Sequence, residues 1–246
     1  MSDFAQEGGH WYLPDGEPFY TIVGKNGIER PVTLRDARPV GAVPSVTGII
    51  RLMAAPQLEK WKRTQLALAC LTLPRIEGES SDSFLGRAEK DWQKEGRDAA
   101  ERGTEIHGAV ERFFRNRRDP SPALEPWVRA IQAELPQYGY FPERSFAHPD
   151  GFGGKVDLHS PEWVIDLKGK EWNGDDVPSL YDEHPMQLGA YRHGLGLPRA
   201  RCGILFFNRL RPLAHLVEIK ESELQRGLTM FQALLALWKA KNRMAA

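Results

Sequence analysis

The chain has few cysteines, no net charge and no long apolar run, and each of these features argues against a class of protein. Its 246 residues include only Cys70 and Cys202, too few for a disulfide framework, a four-thiolate zinc site or a four-cysteine iron–sulfur cluster. No stretch approaches the roughly 18 apolar residues of a membrane span, and residues 1–7 are neither basic nor apolar, so a secretory signal is not expected there. These features predict a cytoplasmic protein whose two thiols are buried and inert.

Charge and composition further limit the class of protein. The chain carries 33 basic and 33 acidic side chains, so the whole-chain charge announces no polyanionic partner, although local basic clusters can still provide a surface for one. Hydrophobic residues make up 41% and charged residues 27%, which is typical of a globular protein with a sizeable core. The length suits one large domain or two small ones.

Hydrophobic periodicity divides the chain into a β-rich start, a helical middle and a mixed α/β remainder. Residues 19–23 and 31–34 flank a turn-like Lys-Asn-Gly at 25–27 and predict a hairpin. The pattern further predicts a short helix over 49–53, a helix that begins at Pro56 and includes Leu68, helices near 82–118, 127–135 and 185–195, and a last helix with an apolar stripe from Leu224 to Trp238. Strands are predicted near 140–146, 154–159, 163–168, 202–207 and 214–219. We therefore predict an α/β fold with a central mixed sheet flanked by helices, an N-terminal β extension over 1–43, and a second domain over 44–246 with its helical segment at 45–118.

Two of the predicted strands place acidic side chains opposite each other. The Ser-Pro-Glu-Trp sequence at 160–163 predicts a turn, and a turn centred between residues 161 and 162 sets Asp157 across from Asp166. One face of this pair is then apolar and the other polar, since side chains alternate along a strand. The apolar face holds Val156, Leu158, Ile165 and Leu167, and the polar face holds Asp157, Asp166 and Lys168.

Two interpretations of the polar face are open. Facing carboxylates whose Cβ atoms are about 5 Å apart repel each other unless a positive charge lies between them, and a hard cation such as Mg²⁺ suits oxygen ligands. The alternative is a solvated strand face on which Lys155 and Lys168 neutralise the two acids, a common arrangement in sheets.

Other candidate site residues lie on predicted helices. His107 lies beside the apolar stripe of its helix, and a histidine there is often a hydrogen-bonded core residue rather than a ligand. Gln187 and Tyr191 are four residues apart and so share one helix face. Taken alone, neither feature is specific.

The ordered set of motifs is far more specific. Gly-Thr-x-x-His begins at Gly103, Gly-x-x-Asp ends at Asp157, Asp-x-Lys begins at Asp166, and Gln-x-x-x-Tyr begins at Gln187. In this order the set resembles the RecB-like branch of the PD-(D/E)XK nuclease superfamily over roughly 44–207. The Pro-Ser-Val-Thr at 44–47, followed by Trp61, resembles the mitochondrial genome maintenance exonuclease and its phage-encoded relatives. The iron–sulfur cysteines of several family members are missing here.

The resemblance implies a restriction-endonuclease-like core with a helical arch-like insertion, and a role for each matching residue. His107, Asp157, Asp166 and the backbone carbonyl of Leu167 would bind one or two Mg²⁺ or Mn²⁺ ions. Lys168 would orient the attacking water and, with Asp157 and Asp166, form the catalytic group. Supporting or DNA-contacting roles fall to a further set: Gln187, Tyr191, Thr104, Ser45, Thr47 and Trp61. Glu143 lies where some relatives carry an additional acidic residue.

These features predict a metal-dependent deoxyribonuclease. The expected reaction is exonucleolytic hydrolysis at DNA ends, single strands preferred, in recombination, repair or phage DNA metabolism. DNA is the expected partner, together with a single-strand-binding or recombination protein, in the cytoplasm of a bacterium or a phage-infected cell; no membrane is involved. One alternative is a structure-specific or nicking endonuclease. Another is an inactive nuclease-like DNA-binding module, although the intact ligand and lysine positions argue against it.

Basic and aromatic side chains on the helical segment offer a surface for DNA. Trp61 and Trp92 could stack on the bases of a single strand, or Trp61 could belong to the core. The basic residues could equally form a solvated face paired with acids. They are Lys60, Lys62, Arg63, Arg97, Arg102, Arg112, Arg115, Arg117 and Arg118.

Overall fold

The computed structural model describes residues 9–53, 56–116, 121–173 and 176–243. The predicted DNA-facing Arg117 and Arg118 therefore lie outside the described residues. The strands are β1 (Trp11–Tyr12), β2 (Pro18–Phe19), β3 (Thr21–Val23), β4 (Glu29–Pro31), β5 (Val43–Pro44), β6 (Phe141–His148), β7 (Phe152–His159), β8 (Trp163–Lys170), β9 (Arg201–Asn208) and β10 (Ala214–Ile219). The helices are α1 (Leu34–Ala37), α2 (Val46–Ile50), α3 (Pro56–Thr72), α4 (Ser81–Asn116), α5 (Glu125–Glu134), α6 (Glu183–Gly194) and α7 (Glu221–Lys241), with a 3-10 turn at Arg38–Val40.

The predicted α/β fold is confirmed. Five strands form one mixed sheet in the order β10-β9-β8-β7-β6. Within this sheet β8 and β9 run parallel, and the other neighbours are antiparallel. A parallel pair needs a crossover connection, and α6 provides it between β8 and β9. The apolar residues of β8 account for its central place, because Trp163, Val164 and Ile165 are each at most 1% exposed.

Helix α7 packs closely against α6 because a glycine lies at their contact. A Cβ built on Gly227 would come within 2.4 Å of the carbonyl carbon and oxygen of Pro185, and within 2.7 Å of the Met186 nitrogen. The predicted stripe of α7 faces the core at Leu224, Phe231, Leu235 and Trp238, which are all buried. The close contact between α6 and α7 therefore requires a residue without a side chain at position 227.

The N-terminal segment contains the predicted hairpin and also contributes to the core. β3 pairs antiparallel with β4, which confirms the hairpin. β1 pairs with β2 and β5 in a separate three-stranded sheet. Trp11 is 5% exposed, and its ring meets that of Trp238 edge-on, with centroids 6.0 Å apart.

By their internal contacts the residues form two compact units, one comprising 1–53 and 109–246 and the other 54–108. The smaller unit holds α3 and most of α4, and in it Trp61 meets Trp92 edge-on at 6.4 Å. Trp61 is 46% exposed, so it does not belong to a core. The division of the chain at residue 43 and the arch-like placement of the helices stay predictions. None of the described helices combines the length and apolar character required to cross a membrane.

The two cysteines differ in their surroundings. Cys202 is buried, and burial raises the pKa of its thiol to about 12, which fits the prediction of an inert side chain. Cys70 is only half-buried. The prediction that both thiols are buried is therefore wrong for Cys70.

Candidate active site

The β7–β8 hairpin carries the two predicted carboxylates. The turn is confirmed, since Ser160 donates its backbone N–H to the Trp163 carbonyl at 2.8 Å. Leu158 pairs with Ile165 and His159 with Val164, which is the predicted register. At Asp157 a side chain joins the two strands: its carboxylate Oδ2 accepts a hydrogen bond from the backbone N–H of Leu167 at 2.7 Å.

Asp166 is a buried carboxylate whose two oxygens have different surroundings. The residue is 4% exposed, and its Oδ1 accepts a hydrogen bond from Gln187 Nε2 at 2.7 Å. Its Oδ2 lies 2.9 Å from Lys168 Nζ and makes an ion pair with that ammonium. Each oxygen of this carboxylate therefore has a polar partner, and carboxylate oxygens are the ligand type that a hard cation prefers.

Gln187 connects the strand to the helix. Its Nε2 donates to Asp166 and also lies 3.0 Å from the Tyr191 hydroxyl. Its Oε1 accepts a hydrogen bond from Lys168 Nζ at 3.1 Å. One amide therefore contacts a carboxylate, an ammonium and a phenol, and it fixes their positions relative to one another.

The charge on Lys168 is maintained by its neighbours. Burial lowers the pKa of Lys168, but the Asp166 carboxylate opposes this, and Asp157 and Glu183 add to the opposition, so the net pKa lies above its usual value. The side chain is 33% exposed. Lys168 is therefore an ammonium at neutral pH, suited to stabilise negative charge rather than to accept a proton.

Tyr191 fits beneath the sheet because β7 carries a glycine there. A Cβ on Gly154 would lie 2.6 Å from Tyr191 Cε1 and 3.0 Å from the ring of Phe146. The pKa of Tyr191 is raised well above its usual value by burial and then by the charges of Asp166 and Asp157. Tyr191 therefore stays a neutral phenol at the carboxylates.

Glu143 lies in strained backbone beside the same hairpin. Its φ is 58°, unusual for a residue inside a strand. It falls between two regular pairs of the β6–β7 ladder, Pro142 with Leu158 and Arg144 with Val156. Its carboxylate makes an ion pair with Lys155. The sequence predicts an acidic side chain here but not this backbone conformation.

The sequence gives no signal for His184, which also lies near the carboxylates. It is 2% exposed, and its Nδ1 accepts the N–H of Tyr181 at 3.0 Å. Burial, followed by the charge of Lys168, lowers its pKa to about 4, although Asp166 acts in the opposite direction. His184 is thus a neutral imidazole beside a charged pair.

Ser45 and Thr47, two further predicted site residues, lie at the start of α2. Ser45 caps α2, since its Oγ accepts the Gly48 N–H at 3.0 Å, and it forms a backbone bridge with Gly153 of β7. Thr47 Oγ1 lies 3.3 Å from Ser45 Oγ. Their predicted support of the site or contact with DNA stays a prediction.

Three further predicted residues belong to the smaller helical unit. Thr104 donates its hydroxyl to the Ala100 carbonyl within α4, His107 is half-buried on the same helix, and Trp61 is on α3. Their contact with DNA or metal stays a prediction. The same holds for the carbonyl of Leu167, whose residue is 3% exposed.

The burial of Asp166 argues against a fully solvated strand face, while its ion pair with Lys168 is one that the alternative interpretation expects. A solvated face would leave the carboxylate in water, whereas it lies beneath α6 in contact with Gln187. The predicted apolar face is buried as well, with Val156, Leu158 and Ile165 inaccessible to solvent. Asp157 and Asp166 offer oxygens, the ligand type of a hard divalent cation such as Mg²⁺ or Mn²⁺.

The basic residues of α3 and α4 are partly paired with acids. Lys62 contacts Glu59 at 2.9 Å and Arg115 contacts Glu111 at 2.6 Å, both one helical turn away. These pairs fit a solvated face, so the predicted DNA surface on these helices stays untested.

No family model matches the chain, and no curated protein matches it. Among solved structures, the chain is similar to a protein from Eubacterium rectale named "putative exonuclease", with 14% identity, 70% of this chain and 72% of that one covered, and a TM-score of 0.37. It is also similar to the protein SSO0001, with 14% identity, 72% and 85% covered, and a TM-score of 0.32. At such TM-scores neither similarity assigns a function to this chain.

Proposed function

We propose that this protein is a divalent-metal-dependent deoxyribonuclease that hydrolyses phosphodiester bonds. One observation carries the proposal: among the described residues, the Asp166 carboxylate is buried, accepts a hydrogen bond from Gln187 Nε2 at 2.7 Å and lies 2.9 Å from the Lys168 ammonium. Asp157 lies on the neighbouring strand. Burying a carboxylate beside an ammonium costs desolvation free energy that their attraction need not repay, so this arrangement favours a role in chemistry.

Asp166, with Asp157 beside it, would hold the metal ion. A bound divalent cation lowers the pKa of a coordinated water and neutralises phosphate charge. Gln187 keeps the Asp166 carboxylate in one orientation through Oδ1, and Oδ2 faces the Lys168 ammonium. The predicted ligand role of His107 rests on the family resemblance alone.

Lys168 would act on the phosphate. Because its pKa is raised, its side chain brings a full positive charge to the place where negative charge develops on the phosphate oxygens. Gln187 Oε1 accepts a hydrogen bond from the Lys168 ammonium and so limits the positions that the ammonium can take. Tyr191 braces Gln187 from the helix side.

The finer assignment follows from the same resemblance. We propose DNA with a free end as the substrate, with single strands preferred and exonucleolytic cleavage. A structure-specific or nicking endonuclease would cut closed circular single strands as fast as linear ones. Equal rates on the two substrates would therefore replace the exonuclease assignment with the endonuclease one.

The test is hydrolysis of end-labelled single- and double-stranded DNA with Mg²⁺, Mn²⁺ or EDTA. We expect cleavage with either metal and none with EDTA. Asp166→Asn and Lys168→Gln should each lower the rate by at least ~100-fold while DNA binding persists. Asp182→Asn is the matched control, because Asp182 is a half-exposed carboxylate paired with Arg226, and its rate should stay unchanged.

Two results would contradict the proposal. Full activity of folded Asp166→Asn would place the chemistry elsewhere or in a contaminant. DNA binding without cleavage under every metal condition would favour the inactive DNA-binding module. Circular dichroism and thermal unfolding confirm that each variant is folded.

A further inference from the structure

A second group of ligand-type side chains lies away from the carboxylate pair. His148 ends β6, Asp150 occupies the turn to β7, and His193 lies near the end of α6. One ligand atom from each lies within 4.8 Å of the others. Among the residues that the structure describes, no other three His, Cys, Asp or Glu side chains meet this closely. The motifs shared with nucleases do not include this group.

We propose that His148, Asp150 and His193 form a binding site for a transition-metal ion of the Zn²⁺ class. The distances between ligand atoms support it. Asp150 Oδ2 lies 3.4 Å from His148 Nδ1 and 3.7 Å from His193 Nε2. Tetrahedral Zn²⁺ with bonds of about 2.0–2.1 Å places its ligand atoms about 3.4 Å apart. Small side-chain movements would therefore bring these three residues to the ligand distances of a zinc ion.

The protonation pattern of His148 suits a ligand. Its Nδ1 accepts a long hydrogen bond of 3.2 Å from the backbone N–H of Asp150. That nitrogen therefore carries no proton and presents the lone pair that a metal requires. A metal bond would replace a weak hydrogen bond.

The surrounding rings hold the two imidazoles in place. The His148 ring lies 4.9 Å from that of Phe152, and the His193 ring is stacked on the same phenylalanine at 6.3 Å. Phe152 is 1% exposed and packs edge-on against Phe231 of α7. Each imidazole therefore has a core phenylalanine on one side, which lowers the side-chain entropy that binding would cost.

Solvent can reach the site. The side chains of His148, Asp150 and His193 are 22%, 55% and 39% exposed. An ion can therefore enter from water and keep water in its remaining coordination position. Two imidazoles and one carboxylate favour Zn²⁺ or a neighbouring late transition metal, whereas Mg²⁺ prefers an all-oxygen site such as Asp157 with Asp166.

Metal binding would link two elements of the larger unit. A metal held by these residues would tie the β6–β7 turn to α6, the helix that carries Gln187 and Tyr191. Binding to the folded state alone would also raise the stability of the larger unit.

The experiment measures Zn²⁺ affinity of the untagged, chelator-treated chain by competition with a chromophoric chelator, and ligand geometry by the visible absorption of bound Co²⁺. To separate the two sites, both are measured in the Asp166→Asn background. We expect one equivalent of Zn²⁺ in that background and a Co²⁺ spectrum of a four-coordinate site. His148→Ala and His193→Ala should each weaken binding more than ~100-fold, beyond the loss typical of outer-shell partners.

His215→Ala is the matched control, since His215 is an exposed histidine paired with Glu134 at 3.7 Å, and its affinity should match the parent. Equal affinity in His193→Ala and the parent would overturn the site. His193→Ala is also measured with Asp166 intact. Binding that disappears in Asp166→Asn alone but survives in this single variant would also overturn the site, and would instead support the proposed nuclease metal. Circular dichroism of each variant excludes loss of fold as the cause.

Discussion

His184 is a residue whose surroundings control its protonation. The imidazole is buried on α6, its Nδ1 holds the N–H of Tyr181, and its ring meets Phe206 edge-on at 5.8 Å. Burial and the nearby Lys168 lower its pKa to about 4. The folded state therefore favours neutral His184, and protonation at acid pH favours the unfolded state.

This shift predicts how stability depends on pH. A histidine with a pKa near 6.5 when unfolded and about 4 when folded contributes full stability above pH 6.5 and loses it progressively towards pH 4. By pH 5 the loss is about 2 kcal/mol. In His184→Asn the amide oxygen can still accept the Tyr181 N–H but does not titrate. Between pH 7 and pH 5 the free energy of unfolding, measured in urea, should therefore fall by about 2 kcal/mol less in His184→Asn than in the parent.

Each variant is compared with itself at the two pH values, so a change in stability that the substitution causes at both pH values cancels. His215→Asn is a suitable control, because His215 is exposed and its replacement should leave the pH dependence unchanged. An equal change in stability between the two pH values for His184→Asn and the parent would show that His184 titrates normally in the fold.

The residues of the candidate site could be predicted in part from their spacing. Asp166 and Lys168 lie two apart on a strand and so share its face, and Gln187 and Tyr191 lie four apart on a helix. Both pairs meet in one hydrogen-bonded network in the structure. The spacing could not predict that the amide of Gln187 reaches both Asp166 and Lys168, because the docking of a helix on a strand depends on contacts distant in sequence.

The elements themselves could be predicted because their apolar patterns are regular. The predicted strand over 163–168 is β8, and the helix predicted near 185–195 is α6, each shifted by a few residues at most. Element boundaries depend on capping and turn geometry, which are local and weaker signals. The positive φ of Glu143 and the meeting of His148 with His193 depend on tertiary structure and carry no such pattern.

The contact between α6 and α7 yields a prediction at the scale of elements. Gly227→Ala places a methyl group against the backbone of Pro185, only 2.4 Å from its carbonyl group if nothing moves. Backbone atoms cannot rotate away as a side chain can, so α7 must shift. We expect a loss of about 1–3 kcal/mol in the free energy of unfolding, measured in urea.

The control is another glycine inside a helix. A Cβ added to Gly86 of α4 would meet open space, with no described atom beyond its own helical turn within 4 Å. Ala is the better helix former by about 0.5–1 kcal/mol, so Gly86→Ala should leave stability unchanged or raise it. If Gly227→Ala were also neutral or stabilising, close packing of α6 on α7 would not be required for the fold.

At the scale of the molecule, the N-terminal strands and the last helix share one core. Trp11 and Val32 lie in the same buried cluster as Phe152, Phe231 and Trp238. The sequence shows a β-rich segment at the start of the chain, and its short strands predict an appended hairpin. They could not predict that Trp11 packs on a helix at the other end of the chain, because no local pattern encodes such a contact.

Replacing Trp11 measures how far the fold depends on this segment. Trp11 is 5% exposed, whereas Trp61 is 46% exposed. We expect Trp11→Ala to lower the free energy of unfolding by about 3–5 kcal/mol, because a large cavity opens beside Trp238. Trp61→Ala should cost less than about 1.5 kcal/mol, the contribution of an exposed aromatic pair. Urea unfolding followed by circular dichroism compares the two. Equal losses would mean that the N-terminal strands are an appendage that the core of the larger unit does not need.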